Sequence, residues 1–460
     1  MLSGSNPVTA TKSVGKSKEN VVARRLTVLG TGYLGTTHAA CMAELGFEVL
    51  GVDVDAARIS ALSAGRLPFY EPDLEPLLQR GLESGRLRFT TSFQEAADFG
   101  DVHFCCVGTP QGSESGGADL SQLHGCIDAL APLLTRPCLI VGKCTTPAGT
   151  AARLAERLAG LAGPDVELAW NPEFLREGHA VTDTLRPERI VVGVRSAAAE
   201  AVLREVYAEP LAAGVPFVVT DFATAELVKV AANAFLATKI SVINAMAEVC
   251  EAAGADVSRL AEALAYDHRI GGAGMRPGLG FGGGCLPKDI RAFRIRAEEL
   301  GAGDAVSFLA SVDTINTRRR TRMVELAREL AGGTLAGRTV GVLGLAFKPD
   351  SDDIRDSPAL DVAMALHRHG ARVVAYDPAA VERAREAHPE LEYASSVLGA
   401  AAEADVLLVL TEWAEFAQAD PEVIGKAVAQ RNVADGRGAL DPAAWRAAGW
   451  TYRALGRPAV

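Results

Sequence analysis

Phe281-Gly282-Gly283-Gly284-Cys285-Leu286-Pro287-Lys288-Asp289 sets a thiol after three glycines and three residues before a lysine. Glycines let backbone approach a ligand closely. Lys288 and a helix starting beyond Pro287 are expected to lower the thiol pKa and favour the thiolate. A thiolate adds to an aldehyde; hydride can then leave the adduct for a nicotinamide, and water hydrolyses the resulting thioester. That chemistry takes an alcohol to a carboxylate. A lone cysteine in a Gly-rich turn more often just packs, so its company decides.

Lys229 and Asn233 lie four apart on a helical stretch of Val, Ala, Leu and Phe. A cation and an amide aimed at one point stabilise developing negative charge. The plainer reading is a snorkelling lysine and a helix-packing amide. In Asn171-Pro172-Glu173-Phe174-Leu175-Arg176-Glu177-Gly178, Glu173 and Glu177 would share a face if helical. One of them could act as a base toward water. Gly30-Thr31-Gly32-Tyr33-Leu34-Gly35 is a G-x-G-x-x-G turn after the apolar run Leu26–Leu29, trailed by Asp53 at the end of a second strand. In that setting the glycines serve a tight turn, close approach to pyrophosphate and helix–strand packing, while Asp53 accepts from ribose hydroxyls and disfavours a 2′-phosphate. NAD is therefore the expected cofactor, with Arg58 the one nearby cation suited to a phosphate. Thr109, in Val107-Gly108-Thr109-Pro110, and Thr145, in Lys143-Cys144-Thr145-Thr146-Pro147, stand at strand ends where such a crevice lies. Cys144 reads as packing rather than nucleophile.

These residues need a scaffold of strands and helices. Apolar runs at Leu26–Leu29, Glu48–Val52, Val102–Val107, Cys138–Val141 and Arg189–Val194 alternate with Ala-rich helical stretches, which implies a parallel, doubly wound sheet. From Thr224 to Ala253 no Gly or Pro occurs, predicting a helix about 45 Å long that could join domains or form a dimer face. Another helical stretch spans Val306 to Ala331. A second βαβ pattern follows at Thr339–Leu343, Pro358–His369 and Arg372–Tyr376, with a strand at Asp405–Leu410. It reads Gly344-Leu345-Ala346-Phe347 and lacks the fingerprint, which suggests a nucleotide other than the redox cofactor, with Lys348 and Arg355 as anion ligands. The expected fold is α/β: two Rossmann-like doubly wound parallel-sheet domains joined by a central helical domain with a long helix. The divisions are a disordered tail at 1–24, an NAD-binding domain at 25–220, a helical dimerisation domain carrying the Cys loop at 221–330, and a nucleotide-sugar-binding domain at 331–460.

The chain has 460 residues, beyond the roughly 250–300 at which a single core stops growing. A net charge of −11 argues against a nucleic-acid surface and against an anionic membrane. No run of about 18 apolar residues is seen, so no membrane helix is expected. Eight cysteines without a CxxC pair fit a reducing cytoplasm. No residue is assigned to a metal.

In this order the motifs resemble the UDP-glucose dehydrogenase family of nucleotide-sugar dehydrogenases, from about Leu26 to Arg437. Pro68-Phe69-Tyr70-Glu71-Pro72 and Thr411-Glu412-Trp413 add to the match. The resemblance implies Cys285 as nucleophile, with Thr145, Lys229, Asn233 and Asp289 around the reacting centre and Glu173 assisting thioester hydrolysis. It implies NAD contacts at the Gly30–Gly35 turn, Asp53, Arg58, Thr109, Thr145, Glu177, Lys288 and Arg355. Substrate contacts would come from Glu173, Phe174, Leu175, Lys229, Asn233, Gly278, Gly282 and Lys348. Arg269 would reach the partner's site in a homodimer, and two NAD would be consumed per UDP-glucuronate formed. The chain departs from the family at Cys144, usually Ser, at Thr146, usually Val, and at Gly274-Met275-Arg276-Pro277-Gly278, where a Phe-Leu pair is usual. The Arg-Pro-Gly is similar to GDP-mannose dehydrogenases, which keeps that sugar as the alternative. A catalytically silent nucleotide-sugar sensor and a two-electron hydroxyacid dehydrogenase are disfavoured, by the intact Cys285, Lys229, Asn233, Asp289 set and by the second nucleotide unit.

Overall fold

A computed structural model describes residues 24–112 and 116–458; apart from Arg24, the expected N-terminal tail lies outside them. The first sheet contains β1 (Arg25–Leu29), β2 (Glu48–Val52), β3 (Leu87–Thr90), β4 (Val102–Cys105), β5 (Cys138–Gly142), β6 (Val166–Trp170), β7 (Ile190–Gly193) and β8 (Phe217–Thr220). Its order is β3-β2-β1-β4-β5-β6-β7-β8. The inner strands β1 and β4 are almost wholly buried, as expected of strands covered by helices on both faces. Strands β1 to β6 pair in parallel, and so do β7 and β8. The join between β6 and β7, at Trp170 and Gly193, is antiparallel. The order reverses between β1 and β4, so a crevice opens at their carboxyl ends.

The second sheet contains β9 (Thr339–Leu343), β10 (Arg372–Tyr376), β11 (Glu392–Tyr393), β12 (Val406–Val409), β13 (Asn432–Asp435) and β14 (Thr451–Ala454). Its order, β11-β10-β9-β12-β13-β14, repeats that of β3-β2-β1-β4-β5-β6. Both α/β units and the helical segment between them are as the sequence predicts.

That segment is led by the helix Phe222–Ala253, capped by the Asp221 carboxylate accepting from the Thr224 amide and stopped by Gly254 in the left-handed region. By length and composition it could cross a membrane, contrary to the expectation that no such segment exists. Here it packs on protein: Ala234 and Ala237 meet Phe281 and Leu309, and Ile243 and Ala247 meet Val257 and Met275. The helix Phe308–Leu330 is clamped to it by Arg318 with Glu248, at 2.8 Å, and by Arg322 with Glu251, at 3.1 Å. Buried Arg319 sits between those glutamates and donates to the Gly278 carbonyl at 3.3 Å.

Candidate active site

Gly30 leaves β1 with φ +88, and a Cβ on Gly35 would lie 1.8 Å from the Gly30 carbonyl oxygen. The turn therefore closes only with glycine at both places. It opens the helix Tyr33–Glu44, whose start carries no side-chain cap, as a helix N-terminus that binds phosphate requires. Asp53 at the end of β2 accepts from the Thr31 amide at 2.7 Å and pairs with Arg58 at 2.9 Å. Burial would raise its carboxyl, but the Asp55 and Thr31 amides and the Arg58 guanidinium together hold it below the usual range. A shaped turn beside an ionised acceptor fits a dinucleotide. The Tyr33 hydroxyl bonds Glu71, while Leu34 turns its side chain onto the core.

Cys285 is open to a cleft of about 830 Å³ between the two α/β units. Its loop is fixed from three sides. The Asn316 side chain accepts from the Phe281 amide at 2.8 Å and donates to its carbonyl at 2.9 Å. Asn244 accepts from the Gly278 amide at 2.8 Å, and Arg437 donates to the carbonyls of Gly280, Phe347 and Leu410 at 3.0, 3.1 and 3.0 Å. The glycines do not chiefly make room for a ligand, as expected, but for protein. A Cβ on Gly282 would lie 2.3 Å from the Asp356 carbonyl oxygen, and one on Gly284 2.4 Å from the Arg355 guanidinium.

Two charge pairs flank the thiol. Lys229, from the long helix, meets Glu173 at 2.9 Å. Lys288 meets Asp289 at 2.6 Å, and Asp289 accepts from Asn233 at 2.7 Å. Burial raises Glu173, but Lys229, the Leu175 amide and Lys143 outweigh it and hold the carboxylate ionised. Glu173 and Asp289 likewise outweigh the burial of Lys229, which stays an ammonium. Contrary to the expected thiolate, desolvation within the cleft, then Glu173, push the Cys285 thiol up to about 12 against the pull of Lys229 and Lys288. Lys288 is largely spent on Asp289.

Glu173 and Glu177 do not share a helix face, because 171–176 is loop and 177–178 a turn. Glu177 points the other way, to Ser351 at 3.0 Å and Arg355 at 3.5 Å. Burial and Asp353 raise its carboxyl to about 7. The cleft gathers Glu173, Phe174, Leu175, Glu177, Lys229, Asn233, Gly282, Cys285 and Lys348. Thr109, Thr145, Lys288 and Asp289 line a small second pocket, where the Thr109 hydroxyl donates to the Thr145 carbonyl at 2.7 Å. Gly278 packs under Gly436 instead of lining the cleft. Arg269 is exposed and pairs with Asp267 at 2.6 Å, away from this chain's own cleft. Met275 fills the helical core, whereas Arg276 turns to the cleft.

Two further residues hold the site together, and only one of them carries a sequence signal. Buried Glu226 accepts from Thr146, Gly149 and Ala151 and docks the Thr145 loop on the long helix. Glu71 accepts from the Gly178 and Ala180 amides as well as from Tyr33, tying the dinucleotide turn to the Glu177 loop. Only the motif around Glu71 pointed at it.

A fingerprinted Rossmann unit, a cysteine cleft and a second Rossmann-like unit define a dinucleotide-dependent dehydrogenase. Residues 24–211 match the NAD binding domain of the UDP-glucose/GDP-mannose dehydrogenase family, 223–318 its central domain and 341–442 its UDP binding domain. The chain is 40% identical over 445 residues to a UDP-glucose 6-dehydrogenase of Pseudomonas aeruginosa, covering 94% of this chain and 98% of that one. It is 38% identical to the UDP-glucose 6-dehydrogenase TuaD of Bacillus subtilis, covering 95% and 94%. The solved structure of a UDP-glucose dehydrogenase from Pyrobaculum islandicum superposes with a TM-score of 0.87 at 38% identity, over 96% of this chain and all of that one. The chain belongs to the UDP-glucose/GDP-mannose dehydrogenase family. It is an oxidoreductase with NAD as cofactor and a nucleotide sugar as substrate.

Proposed function

We propose that the chain oxidises UDP-glucose to UDP-glucuronate with two NAD, through a covalent adduct on Cys285. The observation that carries this reading is the thiol between the Lys229–Glu173 and Lys288–Asp289 pairs, facing a cleft with a dinucleotide turn on one side and a second nucleotide unit on the other. Residues 25–220 hold NAD by the Gly30–Gly35 turn, Asp53, Arg58 and Thr109; residues 331–460 hold the UDP moiety, with Lys348 reaching the cleft. NAD held by the first unit would supply the hydride acceptor for each of the two oxidations. Glu173 and Asp289 are the carboxylates whose charges act on the thiol and the candidate bases toward it, and Lys229 and Lys288 stabilise the thiolate once formed. Lys229 and Asn233 then hold the thiohemiacetal oxyanion. Glu173 takes a proton from the water that opens the thioester, with Thr145 helping to place it.

We also propose a homodimer built on the central segment 221–330. Phe235, Val242 and Val249 recur at seven-residue spacing on the long helix and are 72%, 49% and 56% exposed. They form an apolar stripe of the kind a second helix covers, and it would bring Arg269 to the partner's cleft. Eight free thiols suit a reducing cytoplasm.

The test gives purified protein NAD and a panel of UDP- and GDP-sugars and counts NADH against product. Two NADH per UDP-glucose supports the proposal. Turnover confined to GDP-mannose, the reading favoured by Arg276 in the cleft, sinks it. Cys285→Ser releasing free acid at the normal rate removes the covalent step.

A further inference from the structure

Behind Glu173 the cleft runs into a recess formed by Lys143, Asn171, Tyr207 and His38. Lys143 follows the last residue of β5 and is buried. Among the described residues it meets no carboxylate within ion-pair distance. Its ammonium donates to the Asn171 side-chain oxygen at 2.9 Å and to the Tyr207 hydroxyl at 3.3 Å. Tyr207 donates to the same oxygen at 2.5 Å, and the Asn171 amide donates to the Val191 carbonyl at 2.8 Å. The Asn171 backbone amide, in turn, bonds the Gly142 carbonyl at 2.8 Å. This residue is thus pinned at both ends, two positions before Glu173.

We propose that Lys143 is a positioning residue for thioester hydrolysis, fixing the Asn171-Pro172-Glu173 turn and placing a second positive charge behind Glu173. The inference rests on the covalent reading above. A buried ammonium with no anion in contact is costly. Its other neighbours are neutral: His38 from the fingerprint helix, Cys106 after β4 and Tyr207. Both His38 ring nitrogens lack a partner. The field of Lys143 therefore falls on Glu173, beside that of Lys229 from the long helix. This matters during the reaction. An oxyanion on the Cys285 adduct draws Lys229 away from Glu173. A buried carboxylate left without a cation takes up a proton and can no longer act as base. In hydrolysis the water oxygen bonds the acyl carbon, its proton passes to Glu173, and the carbon–sulfur electron pair returns to Cys285 as thiolate. Lys143 keeps Glu173 competent for that transfer.

The test compares Lys143→Gln, which keeps a donor to Asn171 without the charge, with Lys143→Arg, which keeps the charge, and with Lys143→Met. Stopped-flow NADH release, the mass of the acyl-enzyme and the pH profile of kcat are measured with UDP-glucose and NAD. For Gln and Met the acidic limb of kcat is expected to move up by about one pH unit or more, and kcat at neutral pH to fall about tenfold or more with acyl-enzyme accumulating. KM for NAD should hold within about twofold, and Arg should restore most of the rate. If Met does not fold, Gln carries the test. A limb that stays in place in Gln, or a rate loss uniform across pH, overturns the role of Lys143. Wild-type protein that fails to yield two NADH per UDP-glucose overturns the underlying reading instead.

Discussion

Asp53 and Asp377 occupy the same place in the two α/β units, each after the second strand of its sheet and each accepting from the turn after the first. Gly30 and Gly344 also correspond: φ is +88 and +106, and each amide donates to a carbonyl at the end of the neighbouring strand, Val52 or Tyr376. From there the units diverge. In the first, the chain enters a helix at once, and buried Asp53 accepts from the Thr31 and Asp55 amides and pairs with the partly exposed Arg58. In the second, Asp377 also accepts from Leu345, Ala346, Ala379 and Ala380 amides and from the Trp413 indole at 3.2 Å, leaving no edge for a ribose. The helix Pro358–Arg368 starts late, and the intervening loop crosses to the first unit. There Ser351 and Arg355 meet Glu177, and Asp352 accepts from the Tyr70 amide at 3.1 Å and pairs with Arg383 at 3.0 Å. One unit shapes its first turn for a ligand. The other spends the same turn on itself and sends a loop into the shared cleft.

The largest effect expected of this difference is at Gly35. Gly35→Ala forces a Cβ onto backbone that cannot yield, and should cost more than about 3 kcal/mol, at the upper end of overpacking penalties; denaturant melts and NAD titration measure it. Full NAD affinity in that variant would break the comparison. A crossed pair comes next. Asp53→Asn should raise KM for NAD about tenfold, near the worth of one charge-assisted bond, with little change in Tm. Asp377→Asn should lower Tm by several degrees and leave KM for NAD alone. A swap of those phenotypes would reverse the assignment of the units. The smallest effect lies in the loop between them. The Glu177 carboxyl is raised in the folded chain to about 7 by burial and Asp353. Its contribution to stability is therefore fully present below the ordinary glutamate pKa and is lost as pH rises through about 7. Glu177→Gln should flatten that part of the Tm–pH curve and gain a few degrees on wild type at pH 8; an unchanged slope would remove the linkage.

Most inner strands could be read from the sequence because burial on both faces leaves continuous apolar runs, as in Leu-Thr-Val-Leu and Val-Leu-Leu-Val, whereas β6 and β13, Val-Glu-Leu-Ala-Trp and Asn-Val-Ala-Asp, carry polar residues and gave no such run. The edge strands β3, β8, β11 and β14 could not. Leu-Arg-Phe-Thr and Thr-Tyr-Arg-Ala mix polarity because one side of an edge meets solvent. In the site, residue types and spacing pointed to Cys285, Lys229 and Asn233, and the family resemblance to Asp289; the cleft and its adjoining pocket bring these together. What they could not show is who holds whom. The Lys143–Asn171–Tyr207 contact joins three distant stretches, and Lys288 reads as an activator until its bond to Asp289 is seen. Glu173 and Glu177 kept helical spacing but lie on loop, where the Glu173 carboxylate accepts from the Leu175 amide, a local bond that competes with helix.

The glycines before Cys285 fit because Phe347, Arg355 and Asp356 fill the space against them. The thiol loop is thus finished by a part of the chain synthesised after it. Phe347, Arg355 and Asp356 all lie beyond residue 330, so the loop has no native wall to close against until the last third of the chain exists.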